Sequence, residues 1–285
     1  MSFSSETKIE LMGLTPQKKC CRRSLVAGLL YDADTDCNGR VLASFSTLEI
    51  ALYAQRAIAS AFGPAAVKQP PVAAGKGAFD LAVSSPEIFQ SVGKIPAACA
   101  ECWVSFLRGV LISTSSLTDP EKQYHLEIVL RHTERIVELS DFLAEQFGRP
   151  LTVDRKRGMG LVYKNSAVIE DMLSATGAMQ TYFEFLNKKI ERDLRNNANR
   201  ATNCETRNIA RAVSASKKQI DAIAALEAAG ELDALPCELR ETAELRRLHP
   251  DMPLSELGAR HCPPISKSGI NHRIAKILEA AQKLK

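Results

Sequence analysis

The chain has 285 residues, 45% hydrophobic and 25% charged, with a net charge of +4 and eight cysteines. That length implies two or three packed units, and the ordinary composition excludes wholesale disorder. No apolar run approaches the roughly 20 residues of a membrane span, and Met1–Leu11 lacks the basic start and apolar core of a signal peptide, so a cytoplasmic protein with no membrane partner is expected.

The first half reads as two copies of one plan. Residues 20–31 and 101–112 carry apolar residues at helical spacing, and one register aligns Cys21, Ser24, Gly28 and Leu30 with Cys102, Ser105, Gly109 and Leu111. A glycine inside a helix costs about 1 kcal/mol relative to alanine, and a close crossing of the two helices through Gly28 and Gly109 would offset it. Strand-like alternation follows at 40–47 and 124–131, the latter with Tyr124, Leu126, Ile128 and Leu130 on one face. Leu48-Glu49-Ile50 is matched by Leu126-Glu127-Ile128. Helices at 48–61 and 132–147 then run to Phe62-Gly63 and Phe147-Gly148. Residues 64–77, rich in Pro, Ala and Gly, read as a surface loop before a strand at 78–84. The expected fold is α+β with pseudo-twofold symmetry.

Cysteine usage is less telling. One Cys-x-x-Cys occurs, Cys99 to Cys102, without a second downstream, whereas a structural zinc site normally draws four ligands from two such pairs. Cys20 and Cys21 could join them in space, but buried reduced thiols are the plainer reading, so no metal and no cofactor is expected.

From Gly177 onward no strand is expected. Residues 178–197 predict a linker helix, interrupted at Asn196–Arg200, with Ser214 and Ser216 as N-cap candidates for a helix carrying Ile220, Ile223 and Leu226. Pro236 opens another helix to about Leu248. Asp251-Met252-Pro253 starts a short helix through Leu254, Leu257 and Gly258, and Cys262-Pro263-Pro264 ends it in a turn. Ser266 then caps a last helix with Ile270, Ile274 and Ile277 on one face. Ser268, His272 and Lys276 fall opposite, with Asn271 and Arg273 on the flanks. Residues 186–220 carry nine Lys/Arg against three Asp/Glu, 221–260 four against nine, and 261–285 five against one. Basic stretches bracketing an acidic one suit phosphate binding by particular helices, although a solvated helix face explains any single stretch equally well.

Leu25-Val26-Ala27-Gly28-Leu29-Leu30-Tyr31-Asp32-Ala33-Asp34 resembles the motif of the LAGLIDADG homing endonucleases. That resemblance implies a saddle of two twisted sheets, an interface of two motif helices, and an acid at each helix end holding a divalent metal over DNA. In this register the metal acids fall on Ala33 and Thr114. Asp32 and Asp34 flank the first position, and the second copy has no acid, so a scaffold without catalytic residues is expected. Asp119–Ile128, Asn199–Cys204 and Ser266–Arg273 are similar to characteristic stretches of WhiA-type regulators. This second resemblance runs the length of the chain. It implies a degenerate endonuclease-like domain followed by a promoter-binding helix-turn-helix, in bacteria where such regulators act on cell division, chromosome segregation and sporulation.

The resulting expectation is a first LAGLIDADG-like half at 1–92, a second at 93–185 (together αββαββα), and an all-α linker and helix-turn-helix at 186–285. The function expected is sequence-specific binding of double-stranded promoter DNA at the nucleoid, with other transcription or division proteins as further partners. Ser266, Lys267, Ser268, Asn271, His272, Arg273 and Lys276 are the expected DNA-contacting residues, because the N-terminal part of a recognition helix meets base edges and phosphates. The alternatives are an active endonuclease, which needs acids at both motif ends, and a division or nucleoid protein tethered to DNA.

Overall fold

A computed structural model describes residues 2–75, 77–156 and 158–284 of the chain. The chain divides into two compact units, Met1–Asp193 and Leu194–Lys285. After α1 (Phe3–Gly13), the first unit runs through one plan twice. The first copy comprises α2 (Lys19–Leu29), β1 (Asp34–Thr35), β2 (Val41–Phe45), α3 (Leu48–Phe62), β3 (Val72–Ala73), β4 (Phe79–Val83) and α4 (Pro86–Ser91). The second comprises α5 (Cys102–Thr114), β5 (Ser115–Leu117), β6 (Leu126–Leu130), α6 (Ile136–Phe147), β7 (Leu151–Arg155), β8 (Gly158–Tyr163) and α7 (Ser166–Thr176). Both sheets are antiparallel, ordered β1-β2-β4-β3 and β5-β6-β8-β7, so the same strands are central in each.

The strands follow from period-two patterning. Val41, Ala43 and Phe45 are buried between exposed Leu42 and Ser44, and Leu126, Ile128 and Leu130 are buried in β6, so each sheet turns one face to the helices. Equivalent helices α3 and α6 stop alike, on Gly63 and Gly148 with φ of 91° and 83°. Only glycine adopts such angles readily. The repeat is therefore present, with one correction. Leu48-Glu49-Ile50 opens α3, whereas Leu126-Glu127-Ile128 lies in β6, whose counterpart is β2. An apolar-acid-apolar triplet fits a first helical turn as well as a strand. The stretch at 64–77 also contributes β3, which pairs with β4 at the sheet edge.

Helices α2 and α5 join the two copies at contact distance. A Cβ on Gly28 would lie 2.0 Å from the Phe106 carbonyl oxygen, and one on Gly109 would lie 2.3 Å from that of Leu25. Leu25, Leu29, Phe106 and Val110 are buried around this crossing, as are the register partners Ser24 and Ser105.

Beyond Gly177 the chain forms a single 50-residue helix, α8 (Met179–Ala228). The predicted interruption at Asn196–Arg200 does not occur, and Ser214 and Ser216 lie inside the helix. No glycine or proline falls between Gly177 and Gly230, which take φ of 80° and 72° at its two ends. Asparagine weakens a helix by less than about 1 kcal/mol, too little to break one. The Glu10 carboxylate caps the start, accepting from the backbone N–H groups of Gln180 (2.6 Å) and Thr181 (2.8 Å), where a helix dipole favours negative charge.

In the second unit, the last turns of α8 pack with α9 (Cys237–Leu248) and α11 (Lys267–Gln282), and α11 packs in turn with α10 (Leu254–Ala259). Ile223, Leu226, Leu239, Ala243 and Ile277 form one apolar cluster. Leu257, Ile270 and Ile274 form another, beneath the short α10.

If the crossing fixes the first unit, adding one methyl there must be costly. Gly28→Ala and Gly109→Ala are each expected to destabilise the chain by about 2–3 kcal/mol in urea unfolding, since backbone cannot yield as a flexible side chain would. Gly13→Ala, which meets no atom within 4 Å, stays within about 0.5 kcal/mol.

Candidate nucleic-acid interface

The turn between α10 and α11 is set by backbone. A Cβ on Gly258 would lie 2.4 Å from the Ile265 carbonyl oxygen, and the Ile265 N–H donates to the Gly258 carbonyl at 3.0 Å. The segment entering α10 is held by Arg246, which is 2% exposed. Its Nη1 donates to the carbonyls of Met252 (2.8 Å), Pro250 (3.2 Å) and His249 (3.3 Å). Burial lowers the guanidinium pKa from its ordinary value.

At the start of α11, Ser266 Oγ accepts the Gly269 N–H at 3.2 Å and lies 2.9 Å from Ser268 Oγ. With Ile270, Ile274 and Ile277 buried, the face carrying Lys267, Ser268, Asn271, His272 and Lys276 is exposed. Arg273 behaves differently from its neighbours. Its side chain is 19% exposed, with Nη2 3.4 Å from Glu238 of α9 and Nη1 3.4 Å from both the Glu238 carbonyl oxygen and His261 Nδ1. One position before Ile274, it sits at the margin of the apolar face and ties α11 to α9. His261, buried at 3% exposure, also lies 3.4 Å from Thr242 Oγ1. Sequence reading singled out neither His261 nor Arg246, since a scattered histidine and a helical arginine carry no pattern of their own.

A second basic surface lies on α8. All residues from 194 to 215 are exposed, and Arg200, Asn203, Arg207, Asn208 and Arg211 line one shallow groove. This is the basic stretch already visible in the sequence, now placed on one helical face.

In the first unit, the C-terminal ends of α2 and α5 meet at a cleft of about 370 Å³ lined by Leu29, Asp32, Ala33, Ser113, Thr114 and Arg131, among others. A metal of the homing-endonuclease kind would need carboxylates here, because hard divalent cations take oxygen ligands in octahedral geometry. The residues present do not fit one. Ala33 is buried, and Thr114 Oγ1 donates to the Val110 carbonyl at 2.8 Å. Asp32 accepts from the backbone N–H groups of Arg131 (2.9 Å) and His132 (3.1 Å) and from Arg131 Nε (3.1 Å). Asp34 lies 2.9 Å from both Arg131 Nη1 and His132 Nε2. Against the desolvation that would raise it, Arg131 and then His132 hold the Asp34 carboxyl below its usual pKa. Both acids thus serve an intramolecular cation.

The opposite ends of the same two helices bring together residues that the sequence left apart. Cys20 and Cys21 in the first turn of α2 meet Cys99 and Cys102 at the start of α5, with all four Sγ atoms within 4.8 Å of one another. Burial pushes the Cys21 thiol up to about 12, while a backbone hydrogen bond from Glu101 holds Cys99 down to about 7.

Comparison with known proteins bears on the family and the fold. The family model of the WhiA LAGLIDADG-like domain matches residues 103–195, and that of the WhiA C-terminal HTH domain matches 198–281. A protein of Thermoanaerobacter sp. (strain X514), named "Probable cell division protein WhiA", is 30% identical over a 315-position alignment covering 100% of this chain and 98% of that protein. The chain belongs to the WhiA family. A relative of the same name from Clostridium botulinum (strain Hall) is 37% identical over 187 residues; the match covers 66% of this chain and 59% of the relative. Full-length DUF199/WhiA from Thermotoga maritima superposes with a TM-score of 0.62 at 24% identity, covering 99% of both chains. The isolated N-terminal LAGLIDADG domain of DUF199/WhiA gives 0.51 at 22%, covering 62% of this chain and 92% of that one. At these identities the two structures establish the fold, which is the α+β LAGLIDADG-like domain followed by a helical helix-turn-helix domain.

The cleft of this WhiA-family chain gives a pH-dependent expectation. Arg131→Met should destabilise the protein by about 1 kcal/mol at pH 7, in keeping with a partly exposed ion pair. Because the folded pKa of Asp34 is depressed, its contribution is complete above the unfolded value near 3.9. It disappears as pH falls through the lower folded value. The gap between wild type and variant in urea unfolding is therefore expected to narrow from pH 7 to pH 3.

Proposed function

We propose that this chain is a sequence-specific DNA-binding transcription regulator of the WhiA type, acting at promoters of cell-division, chromosome-segregation or sporulation genes. In this reading residues 186–285 read DNA at the nucleoid, and 1–92 and 93–185 are the halves of an endonuclease-like scaffold that does not cleave. The observation that carries it is the exposed polar face of α11, presented just after a closed turn and a serine-capped N-terminus. Such a helix enters a major groove with its first turns against base edges. The first-turn N–H groups that Ser266 leaves unpaired also favour a phosphate there. Support for the division role comes from the name borne by the relatives. Support for a non-cleaving scaffold comes from the engagement of Asp32 and Asp34 by Arg131.

Within that face, Lys267, Ser268, Asn271, His272 and Lys276 are the proposed DNA contacts. Ser266 fixes the helix start and Arg273 holds the helix in place. The exposed groove of Arg200, Arg207 and Arg211 favours a second reading, a division protein for which DNA is a sequence-independent tether, because arginines on a bare helix neutralise phosphates without reading bases.

A gel shift of full-length protein on genomic promoter fragments, with competitor DNA and Mg²⁺, tests both. Selective shifting of a few fragments with intact DNA is the expected result; uniform shifting of all fragments overturns the regulator reading in favour of the tether, and cut DNA overturns the scaffold. On a selected fragment, Asn271→Ala should weaken binding by roughly 1–3 kcal/mol and relax discrimination at one base pair. Lys276→Ala should weaken all fragments alike and lower the slope of log K against log salt by about 1. Unchanged binding by both variants would reject α11 as the recognition helix.

A further inference from the structure

The four-cysteine cluster belongs to the first unit, and the DNA reading leaves it unused. We propose that Cys20, Cys21, Cys99 and Cys102 bind one zinc ion as a structural tetrathiolate that joins the N-terminal ends of α2 and α5.

Geometry carries the assignment. Cys99 Sγ lies 3.6 Å from Cys20 Sγ, 3.6 Å from Cys21 Sγ and 3.4 Å from Cys102 Sγ, and no pair of the four exceeds 4.8 Å. Zinc–sulfur bonds of about 2.3 Å in a tetrahedron require sulfurs about 3.8 Å apart, within that range. A cubane iron–sulfur cluster would hold its four cysteine sulfurs much farther apart, around a cage of eight atoms. All eight cysteines of the chain are free thiols. Among the described residues this is the one group of three or more His, Cys, Asp or Glu side chains whose ligand atoms converge in this way.

The surroundings suit a closed, negatively charged site. Cys21 and Cys102 are buried, and Cys20 and Cys99 are partly so. The Cys102 N–H donates to the Cys99 carbonyl at 3.0 Å, closing the turn that aims both sulfurs the same way. Neither α2 nor α5 has a side-chain N-cap, a property they share with α6, α9 and α10. Thiolates at those two bare N-termini therefore meet uncapped backbone N–H groups. Zinc with four thiolates carries a net charge of about −2, and the Arg108 guanidinium lies within electrostatic reach of Cys21, while Lys18 is already paired with Glu101 at 2.6 Å. With four protein ligands and no open position the ion would be structural, and the halves of the first unit would be cross-linked across residues 79 positions apart in sequence.

The test is metal analysis of the full-length chain, purified under reducing conditions without chelator. About one zinc per chain is expected, retained through a weak chelator and released by a thiol-blocking mercurial. Replacement by Co²⁺ should give the intense thiolate-to-metal charge-transfer bands of a tetrahedral site. Cys20→Ser and Cys99→Ser should each lower retained zinc at least about tenfold, and Cys37→Ser, an exposed thiol outside the cluster, should leave it unchanged. Stripping zinc from wild type should lower Tm by roughly 5 °C or more. Wild-type protein that holds no zinc after reconstitution, a pale octahedral cobalt spectrum, bound iron with acid-labile sulfide, or equal zinc in Cys99→Ser and Cys37→Ser would each overturn the proposal. The wild-type measurements stand whether or not the variants fold, and none of them depends on DNA binding.

Discussion

Everything in the first unit depends on two glycines in backbone contact. Gly28 and Gly109 let α2 and α5 approach until main chain meets main chain, which no other residue permits. Because the helices run in the same direction, their beginnings converge at one end of the pair and their ends at the other. One end gathers four thiols and the other forms a cleft between two sheets. The sheets hang from these helices with identical strand orders, so a single contact sets the pseudo-twofold relation of both copies. The neighbouring buried serines and aliphatic side chains fill what the glycines leave open.

The second unit obtains its order differently. Its apolar clusters are small, so much of the positional definition falls to polar groups. Arg246 gathers three carbonyls of the segment leading into α10, Gly258 and Ile265 close the turn, and Arg273 ties α11 to α9 beside buried His261. A buried guanidinium that donates to several backbone carbonyls is expensive to desolvate, and it specifies one loop conformation in return. The outward face of α11 is therefore held from behind by contacts within the second unit.

Much of this was legible in the sequence because the strongest signals were periodic or repeated. The register of Cys21, Ser24, Gly28 and Leu30 against Cys102, Ser105, Gly109 and Leu111 anticipated the helix pair, and the Phe-Gly strings anticipated the ends of α3 and α6. Ser266 as a cap and Ile270, Ile274 and Ile277 as a buried stripe followed from the helical period. What escaped was non-local or ambiguous at short range. The triplet Leu48-Glu49-Ile50 fits two kinds of structure, and the run Asn196–Arg200 resembles a break until the lack of any glycine or proline is weighed. Arg273 carries the right chemistry for DNA, but its commitment to Glu238 is decided by packing between helices. The meeting of Cys20 and Cys21 with Cys99 and Cys102 was open in the sequence but ranked below separate buried thiols, because an adjacent pair and a distant Cys-x-x-Cys make no recognisable motif until the fold superimposes them.

The cleft at the far end of the helix pair has a consequence for redesign. A lining whose groups are idle accepts a new ligand easily, and one whose groups already satisfy one another does not. Asp32 accepts two backbone N–H groups and a guanidinium, and Asp34 lies against both Arg131 and His132. Carboxylates placed at positions 33 and 114 would arrive in a site that already holds a resident cation and whose first position is buried. No single substitution would therefore assemble a set of metal ligands there. Arg131 acts as a latch on the two acids, and they become available to a divalent ion only once it is released.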